Sequence, residues 1–576
     1  MMELIKCDGI KKSFGEVDVL KEINFSIKKN ESIGLVGNNG AGKTTLANII
    51  FGKIKSDKGN IHKYIKNINI GYLAQSTSYK LNTNNFLDNV LVKNENPNEI
   101  LKFTSNLGLD KVHMWNKERF KGLSGGEKTK LALANVWASK PDLLILDEPT
   151  NHMDFKGVEW LIEELKKFKK AILIISHDRY FLDKSVKRII ELEEGKINDY
   201  DGNYSYYREE KKRRYENKLH LFNVEKKKQE KIELEITKLK NWSEKAHRDS
   251  TKKASKLGNM IGAKEHFRKK AKKRDNQIKS KIKKLEKMKE ESIEKPKEEQ
   301  SINFGFYIPK NRGQRVIEAK SINKGYKDNK LFKDSSFYIK SGERIGLFGA
   351  NGCGKTTLIK IILENEKLDS GDIWVSPSIN IGYLSQELND LNEEITTLEL
   401  LESIDKLNTL ARTLFANMGF DREMLKRPIK NLSLGERTRI KLATLILKRK
   451  DFLILDEPTN HLDLHSREKL EKALLDYKGT ILVVSHDRYL LEKLCDKMLV
   501  FESNKIKRYE RGFKGYKNKT KHDNLDLANE LMIIENKITD ILGKINDFLP
   551  EDEEYKRLDN EFKELIKQKK ELKSNI

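Results

Sequence analysis

At 576 residues and 67.0 kDa the chain is too long for one hydrophobic core, so two or more domains are expected. It is 35% charged and 37% hydrophobic, with a formal net charge of +25, an isoelectric point near 9.4 and a mean hydropathy of −0.69, values of a water-soluble protein with a polyanionic partner. No apolar run approaches the roughly 18–20 residues of a membrane-spanning helix, and Met1 to Lys6 carry no signal-peptide core; the scattered Cys7, Cys353 and Cys495 fit neither a disulfide framework nor a zinc site, so a cytoplasmic chain without a membrane domain is expected.

From the N-terminus, the apolar run Ser32–Val36 predicts a buried strand that leads into Gly37-Asn38-Asn39-Gly40-Ala41-Gly42-Lys43-Thr44-Thr45. Glycines at this spacing let backbone N–H groups turn toward phosphate oxygens, a lysine reaches the terminal phosphates, and a threonine hydroxyl suits Mg²⁺. The reading points to ATP held by Gly37 to Thr45, with Lys43 on the β- and γ-phosphates. Gly71-Tyr72-Leu73-Ala74-Gln75 follows, then Leu123-Ser124-Gly125-Gly126-Glu127. The strand-length run Leu143–Leu146 ends in Asp147-Glu148. A strand that delivers two carboxylates at its carboxyl end places them where open α/β sheets bind ligands; the first suits Mg²⁺ and the second suits the attacking water. Ala171–Ile175 ends in Ser176-His177-Asp178-Arg179-Tyr180. Taken alone, such a histidine is more often a packing or capping residue than a ligand contact.

The stretch from Arg208 to Pro296 carries +16 of the net charge, and Lys245 to Lys289 carries +14. Ile232, Ile236, Leu239 and Trp242 follow 4-3-3 spacing, as do Ile278, Ile282, Leu285 and Met288, which predicts an antiparallel helical hairpin bending in or near Ser243–Gly262. An arm of about 40 residues would span about 60 Å. One sign of charge dominates, with Trp242, His247, Leu257, Met260, Ile261 and Phe267 interspersed, which suits structured RNA; a solvated coiled coil is the alternative.

The first half then repeats. Gly349-Ala350-Asn351-Gly352-Cys353-Gly354-Lys355-Thr356-Thr357 lies 312 positions after its counterpart, Gly382 to Gln386 lies 311 after, and Leu455-Asp456-Glu457 and Ser485-His486-Asp487-Arg488-Tyr489 each lie 309 after. Four blocks in one order at a nearly constant offset mean a duplicated α/β domain. The tail from Lys517 carries −2; Leu527, Leu531, Ile534, Ile538, Ile541 and Ile545 repeat at helical spacing, Phe548-Leu549-Pro550 turns the chain, and Leu558, Phe562, Leu565 and Leu572 follow, which predicts a second hairpin.

Leu123 to Glu127 and Leu432-Ser433-Leu434-Gly435-Glu436 resemble the signature loop of ATP-binding cassette proteins, and both halves keep that family's order of phosphate loop, glutamine, signature, acidic strand and histidine. The fold expected is therefore α/β, with two tandem phosphate-loop cassettes at 1–207 and 310–516, a basic helical-hairpin linker at 208–309 and a C-terminal coiled coil at 517–576. The resemblance implies that Phe14 and Tyr326 stack on adenine, that Gln75 and Gln386 sense Mg²⁺ and the γ-phosphate, that His177 and His486 touch the γ-phosphate, and that Glu148 and Glu457 activate water. Thr44, Thr356, Asp147 and Asp456 would hold Mg²⁺. Each ATP would be completed by the opposite half: Ser433, Leu434, Gly435 and Glu436 facing Lys43, and Ser124 to Glu127 facing Lys355. Leu434 stands where glycine is commoner, which bears on whether the two sites hydrolyse at equal rates.

Two cassettes, no membrane partner and a long basic linker resemble the ABC-F family, whose members bind ribosomes. By that resemblance a monomer would pair its cassettes intramolecularly and direct its linker toward 23S rRNA and the P-site tRNA. From Gln75 to Leu123 are 48 residues against 46 from Gln386 to Leu432, which leaves no room for the extra arm of housekeeping translation-throttle members. The plan is similar to the subgroup that protects ribosomes from lincosamide, streptogramin A and pleuromutilin antibiotics. The alternatives are a housekeeping translation factor, a DNA-repair ATPase and an exporter subunit.

Overall fold

A computed structural model of the chain describes residues 2–74, 125–151, 153–256, 261–290, 315–326, 329–385, 391–404, 409–420, 422–448, 450–460, 462–518, 534–535, 537–542 and 553–575. The chain divides into two compact units, Met1–Asp199 with Ile302–Ile576, and Tyr200–Ser301.

In the first half the elements run β1 (Glu3–Phe14), β2 (Val17–Lys28), β3 (Ser32–Val36), α1 (Lys43–Phe51), β4 (Lys58–Lys63), β5 (Ile70–Leu73), α2 (Gly125–Ala138), β6 (Leu143–Asp147), α3 (Phe155–Lys167), β7 (Ala171–Ile175), α4 (Arg179–Ser185), β8 (Arg188–Glu193) and β9 (Lys196–Tyr200). A six-stranded sheet has the order β5-β6-β7-β3-β8-β9, and a three-stranded antiparallel sheet has the order β2-β1-β4. The ladders from β5 through β8 are parallel. Strands covered on both faces need continuous apolar runs. Leu143 to Leu146 and Ala171 to Ile175 are such runs, and every residue in them is buried.

In the other unit, α5 (Tyr204–Lys256) and α6 (Ile261–Glu290) form the expected hairpin. Ile236 and Ile278 are buried in its seam, and Lys289 pairs with Glu233 at 2.9 Å, Lys281 with Glu235, in antiparallel register. Helix continues from Ser243 to Lys256, because no glycine or proline interrupts it there, and residues 257–260, with Leu257 and Met260, lie outside the described residues. The described helices of the hairpin span 53 and 30 residues, against an expected arm of about 40.

The second half repeats the first as β10 (Arg315–Tyr326), β11 (Asn329–Lys340), β12 (Arg344–Phe348), α7 (Lys355–Ile362), β13 (Ser370–Val375), β14 (Ile381–Leu384), α8 (Thr397–Ile404), α9 (Thr409–Asn417), α10 (Arg422–Leu425), α11 (Leu434–Leu447), β15 (Phe452–Asp456), α12 (Leu464–Asp476), β16 (Thr480–Val484), α13 (Arg488–Leu494), β17 (Lys497–Glu502) and β18 (Lys505–Tyr509). Its sheets have the orders β14-β15-β16-β12-β17-β18 and β11-β10-β13. In the tail, helical residues 537–542 bury Ile538 and Ile541 against Leu565 of α14 (Glu553–Asn575), with Ile534, Leu558 and Phe562 beside them. Leu527, Leu531, Ile545 and the Phe548–Pro550 turn lie outside the described residues. Among the described residues no helix is long and apolar enough to cross a membrane.

Candidate functional site

In both six-stranded sheets the strand order reverses around one central strand, β3 or β12, and the crevice at its carboxyl end is where such sheets take ligands. Gly37 to Gly42 fill that position in the first half. A Cβ on Gly37 would lie 2.4 Å from the carbonyl oxygen of Leu192, so only glycine lets the loop pass this close to β8. Gly42 caps α1 at φ 101° and Gly354 caps α7 at φ 105°, left-handed values that turn the strand into the helix. Lys43 Nζ folds back on its own loop and donates to Gly37 O at 2.8 Å and Asn38 O at 3.0 Å; Lys355 Nζ does the same to Gly349 O and Ala350 O at the same distances. Burial lowers the pKa of Lys43, against the pull of Glu148, Asp463 and Asp147.

The next residues of the helices meet the acidic strands. Thr44 Oγ1 donates to Asp147 Oδ2 at 2.8 Å, and Thr356 Oγ1 to Asp456 Oδ2 at 3.3 Å. Each pair is a set of hard oxygens open to a hard cation. Burial raises both aspartates above the ordinary carboxylate range. Tyr72 OH adds a long 3.4 Å contact to Asp147.

Glu148 and Glu457 leave their strands at φ 51° and 50°, a backbone conformation that non-glycine residues adopt rarely and at a cost of about 1–3 kcal/mol. Their own N–H groups anchor the turn on Ile175 O at 2.8 Å and Val484 O at 2.9 Å. The turn aims each carboxylate at a histidine: Glu148 Oε2 accepts from the His177 N–H at 3.3 Å with His177 Nε2 3.7 Å from Oε1, and Glu457 does the same with His486 at 3.3 and 3.6 Å. Burial pushes Glu148 up to about 7 and Glu457 up to about 8. Burial holds His177 well below its ordinary range and His486 down to about 4, so both rings are neutral at pH 7. Glu148 Oε1, Glu457 Oε1 and Nδ1 of both histidines are buried without a hydrogen-bond partner. Unsatisfied buried polar atoms are costly. Four of them around two phosphate loops fit a polar ligand with its own donors and acceptors.

The other expected residues are placed as follows. Phe14 and Tyr326 end β1 and β10, half exposed, each with a lysine over the ring, Lys12 at 5.5 Å and Lys324 at 5.1 Å. Gly125, Gly126 and Glu127 open α2. Gln75, Gln386 and Ser124 lie outside the described residues. Ser433 caps α11 in a reciprocal box with Glu436, Leu434 is exposed and Gly435 is buried in the first turn. The hydrogen bonds of Ser433 stay within its own turn.

Among the described residues, the two halves are joined by Asn39 of the phosphate loop and by residues to which the motifs gave no role. The Asn39 N–H donates to Asp463 Oδ2 at 3.0 Å, across 424 positions of sequence. Asp463 also caps α12 through the Ser466 N–H; burial works against its ionisation, but these bonds hold it down to about 2. Arg179, buried, pairs with Glu471 and with Asp487 Oδ2 at 3.0 Å. Arg488, also buried, donates to Glu159 Oε1 at 2.8 Å and lies over the rings of Tyr180 at 3.7 Å and Phe155 at 4.6 Å. Phe155 packs edge-on to Phe348 at 4.6 Å and beside Phe513 at 5.5 Å. Asp154 and Asp463, and Arg179 and Arg488, recur 309 positions apart, and that recurrence was the available signal.

A family model described as ABC transporter matches this chain twice, at 20–151 and 332–460, and a second model of the same description matches 190–304. The ribosome protection protein VmlR of Bacillus subtilis strain 168 is 39% identical over 532 residues, 92% of each chain. The energy-dependent translational throttle protein EttA of Mycobacterium tuberculosis strain CDC 1551 / Oshkosh is 30% identical over 538 residues, 86% of this chain and 90% of that one. Among solved structures, an archaeal ribosome recycling factor in complex with a ribosomal stalk protein aligns with a TM-score of 0.62 at 19% identity, over 89% of this chain and 92% of that one, a likeness of fold. With two phosphate loops, two acidic strands and two histidine loops on duplicated sheets, the chain belongs to the ABC-F family of ATP-binding cassette proteins and is an ATPase.

Proposed function

We propose that this protein is an ATP-driven ribosome-binding factor whose basic hairpin is directed toward the peptidyl-transferase centre, and that it protects the large subunit from lincosamide, streptogramin A and pleuromutilin antibiotics. The observation that carries the reading is the 39% identity, over 92% of both chains, to a protein named for ribosome protection. The +14 charge of Lys245 to Lys289 supports an rRNA or tRNA contact for the linker, and the functional division would be 1–207, 208–309, 310–516 and 517–576.

At each site the chain's residues would act as follows. Lys43 and Lys355 exchange their loop carbonyls for phosphate oxygens. Glu148 and Glu457, ionised, orient and deprotonate the attacking water, and neutral His177 and His486 hydrogen-bond the γ-phosphate. Phe14 and Tyr326 stack on adenine. The opposite half contributes Ser433 and Gly435 to the first site and Ser124 to Gly126 to the second. Mg²⁺ would be held by Thr44 with Asp147 and by Thr356 with Asp456, with Gln75 and Gln386 beside it, and would neutralise phosphate charge.

The test is co-sedimentation of the Glu148→Gln, Glu457→Gln double variant with 70S ribosomes in ATP. The bound fraction should be near complete at low salt and fall as salt rises; no sedimentation ends the reading. The 30% identity to a translational throttle protein favours a second reading, a housekeeping translation factor. Expression in a susceptible host separates the two: a raised minimal inhibitory concentration supports protection, and an unchanged one supports the housekeeping role.

A further inference from the structure

The two histidine loops, one from each half, meet directly: Arg179 lies over the ring of Tyr489 at 5.0 Å and Arg488 over that of Tyr180 at 3.7 Å, and on one side an ion pair is added. Glu148 Oε2 accepts from the N–H of His177, which Asp178 and Arg179 follow in the chain. Arg179 Nη2 then lies 3.0 Å from Asp487 Oδ2. Asp487 directly follows His486, whose N–H donates to Glu457 Oε2. The path from one proposed water-activating carboxylate to the other is therefore five residues, two hydrogen bonds and one ion pair. Asp487 is held rigidly enough to transmit a shift: its Oδ1 caps α13 through the Leu490 N–H at 3.2 Å, and its Oδ2 also faces Arg467 Nη1 at 3.5 Å. Arg179 is 3% exposed and Glu471, its other partner, is 3% exposed, so water does not screen the link.

Among the described residues the reciprocal pair, Arg488 and Asp178, does not close to ion-pair distance, although Arg488 still acts on Asp178 through space. Arg488 occupies the position equivalent to Arg179, 309 residues on, but it donates to Glu159 and stacks on Tyr180 and Phe155. Asp178, equivalent to Asp487, caps α4 through the Phe181 N–H at 3.0 Å. The arginines and the tyrosines they cover are duplicated, but the carboxylates are not: Arg179 pairs with Asp487 of the opposite histidine loop, and Arg488 with Glu159.

We propose that Arg179 is a positioning residue that couples the two ATP sites, through its ion pair with Asp487, so that occupancy of one histidine loop sets the pose of the other. This rests on the reading of both loops as ATP sites and is independent of any ribosome contact. When a γ-phosphate draws His177, α4 and the Arg179 guanidinium move with it, and the ion pair carries the displacement to Asp487 and His486. A buried arginine between two carboxylates has few alternative poses, so the two loops shift together.

The experiment is steady-state ATPase activity of the full chain against ATP concentration, without ribosomes, alongside melting temperatures. The intact chain should show a Hill coefficient clearly above 1, with 2 as the ceiling for two sites. Arg179→Gln should bring it to 1. Arg488→Gln, which removes an equally buried interface arginine that stacks on Tyr180 but lies outside the Arg179–Asp487 ion pair, should leave it at the intact value even where its melting temperature falls as far. Arg179→Lys, which keeps the cation without the guanidinium fork, should lie between and serves where the glutamine variant does not fold. A Hill coefficient of 1 in the intact chain, a value unchanged by both Arg179 substitutions, or an equal loss in Arg488→Gln overturns the proposal. Failure of ribosome co-sedimentation would leave these outcomes intact.

Discussion

The two candidate nucleotide sites share every loop yet differ in what the opposite half brings to them. At the first, the opposite half places Asp463 on the Asn39 N–H, and the cation of Arg467 lowers the pKa of Glu148. At the second, it brings Phe155, with its ring centroid 5.8 Å from that of His486. Val158 stands where symmetry would put a counterpart of Arg467, and Leu464 where it would put one of Phe155. Duplication preserved the loops, whose shape the phosphate dictates, and left the facing surfaces free to diverge. The first site is met by an acid and a cation, the second by an acid, Asp154, and an aromatic ring.

The largest break in this comparison comes from removing the carboxylates one at a time. Glu148→Gln leaves the second site as the only one that turns over, and Glu457→Gln leaves the first; the double variant should lose about 10²–10⁴-fold in ATPase rate, read by phosphate release. Next in size is the aromatic anchor. Phe155→Ala should lower stability by about 2–3 kcal/mol, because a half-buried ring packed on Phe348, Phe513 and Arg488 is lost, and Leu464→Ala should cost less; thermal melts of both variants give the contrast. A third test uses pH. A carboxylate must be ionised to take a proton, so each rate rises with pH through the pKa of its base, near 7 for the first site in Glu457→Gln and near 8 for the second in Glu148→Gln. Arg467→Gln removes a cation that favours ionised Glu148 and should move the first profile toward the second. The smallest effect expected on stability is about 1 kcal/mol, from Ser433→Ala, which removes the cap of α11, read in a thermal melt without nucleotide.

The loops were legible because their chemistry is local. Gly37 to Thr45 and Gly349 to Thr357 dictate their own shape, and Asp147-Glu148 and Asp456-Glu457 follow apolar runs that are strands. The facing surfaces were not legible, because a bond such as Asn39 to Asp463 joins residues 424 apart and no periodicity encodes it. Arg179 stood in a repeated block and Asp463 just beyond one, visible as letters but silent about partners. The linker fell between these cases. Its seam of Ile236 and Ile278 follows from spacing, while the extent of α5 depended on what fails to stop a helix between Ser243 and Lys256.

That long helix has a mechanical meaning. Fifty-three residues without glycine or proline make a rod of about 80 Å, and a tilt of about 5° at its base sweeps its far end through roughly 7 Å. Ångström-scale adjustments at the root of such a boom become displacements the size of a nucleobase at its tip, with no new hinge required along the way.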